Sequence, residues 1–135
     1  MINAKDVIRL KIPYPNISSK LAMQAHMYIC YEAGNSNKLI KAQSYKPILE
    51  TYVNSYIDSN EYTGEHPFNR RTLIDLDKYF YLTNILLPIS LKVYNNNGRV
   101  SDRLFNDITK ETNELNNCQC ENVNTEQLKT LNRYI

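Results

Sequence analysis

The chain of 135 residues contains no tryptophan, only three phenylalanines and only three glycines. Eleven tyrosines must therefore supply most of the aromatic volume of any core, and most of them are expected to pack rather than to bind. No window of 18 residues is continuously apolar, which excludes a membrane-spanning helix. The first residues lack the basic start and apolar stretch of a leader, because Asp6 and Arg9 interrupt them. A cytoplasmic location is the resulting expectation. Three cysteines, an odd number without a repeating framework, point to a reducing compartment. Cys30 lies in an apolar run and reads as a small buried hydrophobe. Cys118 and Cys120 are separated only by Gln119, too close for a metal knuckle. There is also no glycine-rich phosphate loop, no His-Glu-x-x-His and no nucleophile elbow. No metal and no cofactor are expected.

What is present is an uneven distribution of charge. The formal net charge is +2, too small to identify a partner. Residues 1–49 nevertheless hold seven Lys or Arg against Asp6 and Glu32 alone, so the basic character is concentrated at the front. A front of that kind suits an anionic partner such as nucleic acid.

Residues 7–12 alternate with a period of two, which predicts a strand stopped by Pro13 and Pro15. Residues 27–31 and 38–44 predict two further strands across the Ala33-Gly34-Asn35-Ser36-Asn37 turn, together the clearest hairpin. Residues 45–57 fit either strand or short helix, and 59–69 read as a long loop. Strands are expected near 72–76 and 90–94, with 82–87 a short strand or a turn. Ser101 reads as a helix N-cap, and Val100, Leu104 and Ile108 recur every four residues, predicting a helix over 101–115. Residues 116–124 break it, and 125–134 predict a second helix capped by Thr125. Asp75 and Asp77 read as a solvated strand edge. The sum is one domain over 1–135, mainly β with C-terminal helices, with 116–135 as a helical extension.

The order Lys5-Asp6-Val7-Ile8-Arg9-Leu10, then Ile12-Pro13-Tyr14-Pro15-Asn16, resembles the opening strand and first loop of the PemK/MazF-like toxin ribonucleases. Residues 38–44 resemble the strand that closes on the catalytic hydroxyl in that family, and residues 72–100 follow the rhythm of its later half. The resemblance covers about residues 4–112. It implies an SH3-like small β-barrel that cuts single-stranded RNA without metal, acts as a homodimer and is held in check by an antitoxin protein.

Carried over by position, the hydroxyl falls on Ser44. The family arginine falls on Gln24 or Ala25, with His26 where a proline would follow, and no arginine occurs between Arg9 and Arg70. The site that follows pairs His26 as proton carrier with Ser44 as phosphate donor. Lys20 or Lys41 supplies part of the missing charge, and Arg70 and Arg71 form a second basic pair. A lysine lacks the two-pronged guanidinium fork, so an impaired nuclease is implied. His66 is a weaker candidate acid in its Gly64-Glu65-His66-Pro67 loop. The rival reading is a non-catalytic module on the same barrel, binding protein or nucleic acid, of phage or mobile-element type.

Overall fold

The computed structural model describes residues 1–114 and 118–135. One seven-stranded sheet organises them, built from β1 (Val7–Leu10), β2 (His26–Glu32), β3 (Ser36–Ser44), β4 (Tyr56–Asp58), β5 (Thr72–Asp75), β6 (Lys78–Thr83) and β7 (Gln119–Asn122). The helices are α1 (Lys20–Met23), α2 (Leu49–Tyr52), α3 (Asp102–Glu114) and α4 (Thr125–Leu131). The chain is thus mainly β with helices. The strands run β1-β2-β3-β5-β4, with β6 pairing β3 and β7, and the sheet is not closed into a barrel. All pairings are antiparallel except β6 with β7.

Strand β3 organises this topology because it is long enough to hold two partners on one edge. Its start pairs with β6, Leu39 opposite Phe80, and its end pairs with β5, Ala42 opposite Ile74. Between them the chain loops out through Leu76 and Asp77. Asp77 secures that excursion by accepting N–H bonds from Asn54 and Ser55, each at 2.9 Å. Asp75, itself buried, accepts from the Asp77 N–H. These carboxylates therefore hold a loop together, and the expected solvated edge is corrected.

Both faces of the sheet are covered, so alternating side chains enter two cores. Ile8, Leu10, Tyr28, Cys30, Leu39 and Phe80 face one core, closed by Leu128 of α4. Val7, Ile29, Ile40, Ala42 and Ile74 face the other, closed by Leu104 and Ile108 of α3. Cys30 is fully buried, as its apolar surroundings suggested. Ser101 caps α3 through its hydroxyl, which accepts the Leu104 N–H at 3.0 Å.

Several expected elements differ. Residues 45–57 hold both alternatives in sequence, first α2 and then β4. Residues 90–94 form no ladder strand: a 3-10 turn over Ile89–Leu91 follows Pro88, and Lys92 makes only a single bridge to Ile8. From there to Val100 the chain runs along the outer edge of β1, and Val93 N–H donates to Val7 O at 3.0 Å. Within 118–124 the expected break is strand β7, whose ladder to β6 was invisible in its polar sequence. Helix α4 is capped by Asn124, which accepts the Gln127 N–H at 3.0 Å, while Thr125 donates to Thr83 O instead. The predicted helix end at Leu115 and the asparagines 116–117 lie outside the described residues. Among the described residues, no helix is long and apolar enough to cross a membrane.

Candidate functional site

Registers fix which side chains meet at the open end of the central strands. Arg9 of β1 stands opposite Met27, Met27 opposite Ala42, and Ser44 opposite Thr72. Alternation along each strand puts Arg9, Met27, Ala42, Ser44 and Thr72 on one face of the sheet. There Arg9, Met27, Ser44 and Thr72 open onto a cavity of about 570 Å³ that Arg70, Lys92 and Tyr94 also line. Arg9 and Ser44 continue into an adjoining cavity of about 320 Å³, which His26 and Lys46 line. The two share Arg9, Met27 and Ser44, so they form one groove across the strand ends.

No Asp or Glu among the described residues lines either cavity. Among the described residues Arg9, Lys46 and Arg70 make no ion pair, whereas Lys92 is held by the buried Asp6 at 3.1 Å. Cations gathered without carboxylates repel one another, and a bound anion relieves that repulsion. Ser44 is exposed, and among the described residues its hydroxyl has no hydrogen-bond partner, which leaves it able to donate. The Thr72 hydroxyl, by contrast, already donates to Arg70 O at 2.9 Å.

His26 begins β2, half-buried, with Nδ1 2.9 Å from the Gln24 carbonyl oxygen. A carbonyl only accepts, so Nδ1 carries a proton, and in the neutral ring the lone pair is on Nε2. Its neighbour Met27 packs toward the Ser44 face, so His26 leaves the sheet on the opposite face and reaches the groove around the strand end. Gln24 is exposed and contributes its backbone carbonyl to orient that imidazole.

The remaining sequence candidates fall elsewhere. Lys41 faces the Tyr28 side of the sheet, opposite to Ser44, and burial pushes its ammonium below the usual range against the pull of Asp75. Lys20 and Lys78 are its charged neighbours there, so Lys20 and Lys41 do not join the Ser44 cavity. Arg71 is neutralised by Asp58, its Nε at 2.9 Å from Oδ2, and its guanidinium lies 3.6 Å over the Tyr45 ring. It is a structural clamp, and only its neighbour Arg70 lines the groove. His66 accepts the Phe68 N–H at 3.2 Å and stacks on that ring, away from either cavity. Among the described residues no group of His, Cys, Asp and Glu is placed to hold a metal ion.

Sequence reasoning missed Arg9. Its period-two alternation with Val7 placed it on a definite face, but only the registers of β1 with β2 and β2 with β3 bring that face to Ser44. The segment carrying Lys92 and Tyr94 was missed because it was read as an internal strand. No protein-family model, curated protein or solved structure matches this chain.

Proposed function

We propose that this protein binds single-stranded RNA in the groove between His26 and Arg70 and cleaves it without a metal ion, as a divergent PemK/MazF-like ribonuclease. The observation that carries the reading is a groove lined by Arg9, Arg70 and Lys46, with no carboxylate, around the unengaged hydroxyl of Ser44. Metal-free cleavage needs a base for the 2′-hydroxyl and donors for the charged phosphorane. His26 Nε2 takes the 2′-hydroxyl proton, and the 2′-oxygen attacks the adjacent phosphorus. Arg9 and Arg70 hold the non-bridging oxygens with Ser44 donating beside them. The bond from phosphorus to the 5′-oxygen then breaks, and that oxygen is protonated from water in the open groove. The products are a 2′,3′-cyclic phosphate and a 5′-hydroxyl. On this reading Arg9 fills the role for which the first loop offers no arginine.

The family's homodimer and antitoxin belong to the same proposal, on an open sheet in place of the family's closed small barrel. Exposed Met23 on α1, and Ile48 and Tyr52 at α2, lie close in sequence to Ala25 and Leu49 of the groove lining and suit a covering protein partner.

The test is to incubate the protein with mixed-sequence RNA in EDTA and map the ends. Cleavage should persist in the chelator and leave cyclic phosphates. His26→Ala should slow it by about 10²-fold or more, and Ser44→Ala by about 10-fold or more. Cleavage equal in both variants and wild type would sink the catalytic assignment. The second reading, binding without cleavage in the same groove, is favoured by His26 and Ser44 leaving the sheet on opposite faces. Tight binding of RNA that stays intact across a wide pH range would select it.

A further inference from the structure

Tyr94 has no packing role. Its side chain is the most exposed large apolar group described, 95% accessible, yet it lines the same cavity as Arg9, Ser44 and Arg70. An aromatic ring left in water forgoes the favourable burial that Tyr28 and Tyr62 obtain. The turn that presents it is also fastened from several sides. Before it, Lys92 is paired to buried Asp6 at 3.1 Å and Val93 N–H donates to Val7 O at 3.0 Å. After it, Asn95 bonds to the side-chain oxygen of Asn69, and the Asn96 amide donates to the Gly64 and His66 carbonyls at 3.3 Å each.

Backbone geometry points the same way. Asn96 and Asn97 adopt left-handed conformations, φ 49° and 58°, which asparagine tolerates better than most residues. Gly98 follows at φ 64°, where a Cβ would stand 2.3 Å from the Val93 carbonyl oxygen. The chain therefore holds a solvent-exposed ring on a pre-formed turn beside two guanidiniums. A rigid aromatic platform next to a phosphate clamp is the arrangement by which proteins grip unpaired nucleotides.

Resting on the RNA reading above, we infer that Tyr94 is the stacking platform for one unpaired base of the bound strand, next to the phosphate held by Arg9 and Arg70. Stacking requires a base whose face is uncovered, so the ligand class is single-stranded rather than duplex RNA. The amides of Asn69 and Asn95 line the same cavity and offer hydrogen-bonding groups to the edge of that base.

The experiment measures affinity by fluorescence anisotropy for three probes: a 2′-O-methyl oligonucleotide that resists cleavage, its abasic counterpart, and inorganic polyphosphate. Tyr94→Ala should weaken binding of the base-bearing strand by about 10-fold and leave the other two unchanged. Tyr94→Phe should retain affinity, because it keeps the ring face. With 2-aminopurine in the strand, wild type and Tyr94→Phe should quench its emission and Tyr94→Ala should not. Equal affinity of wild type and Tyr94→Ala for the base-bearing strand overturns the platform while the RNA reading survives. So does a loss of the same size on all three probes, which would mark a general effect on the turn. Wild type binding polyphosphate but no oligonucleotide, or binding none of the probes, overturns the RNA reading and the platform with it.

Discussion

Removing the Arg9 side chain should weaken RNA binding while leaving its dependence on salt nearly unchanged, because Arg70 holds the same phosphate. Among the described residues three cations line the groove without an ion-pair partner, namely Arg9, Lys46 and Arg70, while Lys92 is already offset by Asp6. With Arg9 and Arg70 on one phosphate and Lys46 on a second, log K should fall with log salt at a slope of about −0.7 per phosphate, or roughly −1.4 in all. Raising salt from about 50 to about 200 mM should then weaken wild-type binding by roughly 7-fold. Arg9→Ala leaves Arg70 on the shared phosphate, so it should keep a slope near −1.4 and lose affinity by a similar factor at every salt concentration. That factor should be about 10-fold or more, because a charge-assisted bond to phosphate is lost. Arg9→Lys should keep the slope but not the full affinity, since an ammonium lacks the guanidinium fork. Anisotropy titrations of an uncleavable single strand at four salt concentrations measure both quantities. Arg71→Ala is the internal control: its guanidinium is tied to Asp58 and stacked on Tyr45, so its slope and affinity should match wild type. An Arg9→Ala protein with wild-type affinity would refute the placement of the phosphates.

Two further predictions concern the framework. Gly98→Ala forces a Cβ to within 2.3 Å of the Val93 carbonyl at a positive φ, so it should destabilise the fold by about 1–3 kcal/mol in urea unfolding and loosen the Tyr94 turn. An unchanged midpoint would contradict that geometry. Burial lowers the His66 imidazole below its usual range, outweighing its bond to the Ser59 backbone and the charge of Glu65. The folded chain thus binds fewer protons there than the unfolded one, and stability from this group is complete above about pH 6.5 and lost as pH falls through the depressed value. Replacing His66 by Gln should flatten the stability profile in that window. A profile as steep as wild type would show that another group is responsible.

Much of the framework could be read from local pattern. Helix α3 was legible because its cap and its Val100, Leu104 and Ile108 stripe lie within nine residues, and the β2–β3 hairpin because its turn residues sit between two apolar runs. Strand β7 was not, since Gln119, Cys120, Glu121 and Asn122 carry no alternation and become a strand only by pairing with β6. Leu91 and Val93 misled in the other direction. Their alternation imitates a strand, but the edge of β1 receives only one bridge from Lys92. The candidate site divides in the same way. Ser44 and His26 were named by position and both line the groove, whereas Arg9 lies 35 residues before Ser44 and meets it only through two intervening registers. One error was avoidable: Lys41 and Ser44 are three apart on one strand, and alternation alone sends them to opposite faces.

The central claim is that Arg9, Ser44 and Arg70 grip one phosphate of a single RNA strand. A crystal structure with a 2′-O-methyl single strand tests it most directly. A phosphate should lie between the two guanidiniums, with the Ser44 hydroxyl about 2.7–3.0 Å from a non-bridging oxygen. A strand bound instead on the opposite face, along Lys20 and Lys41, or no complex at high RNA concentration, would contradict it.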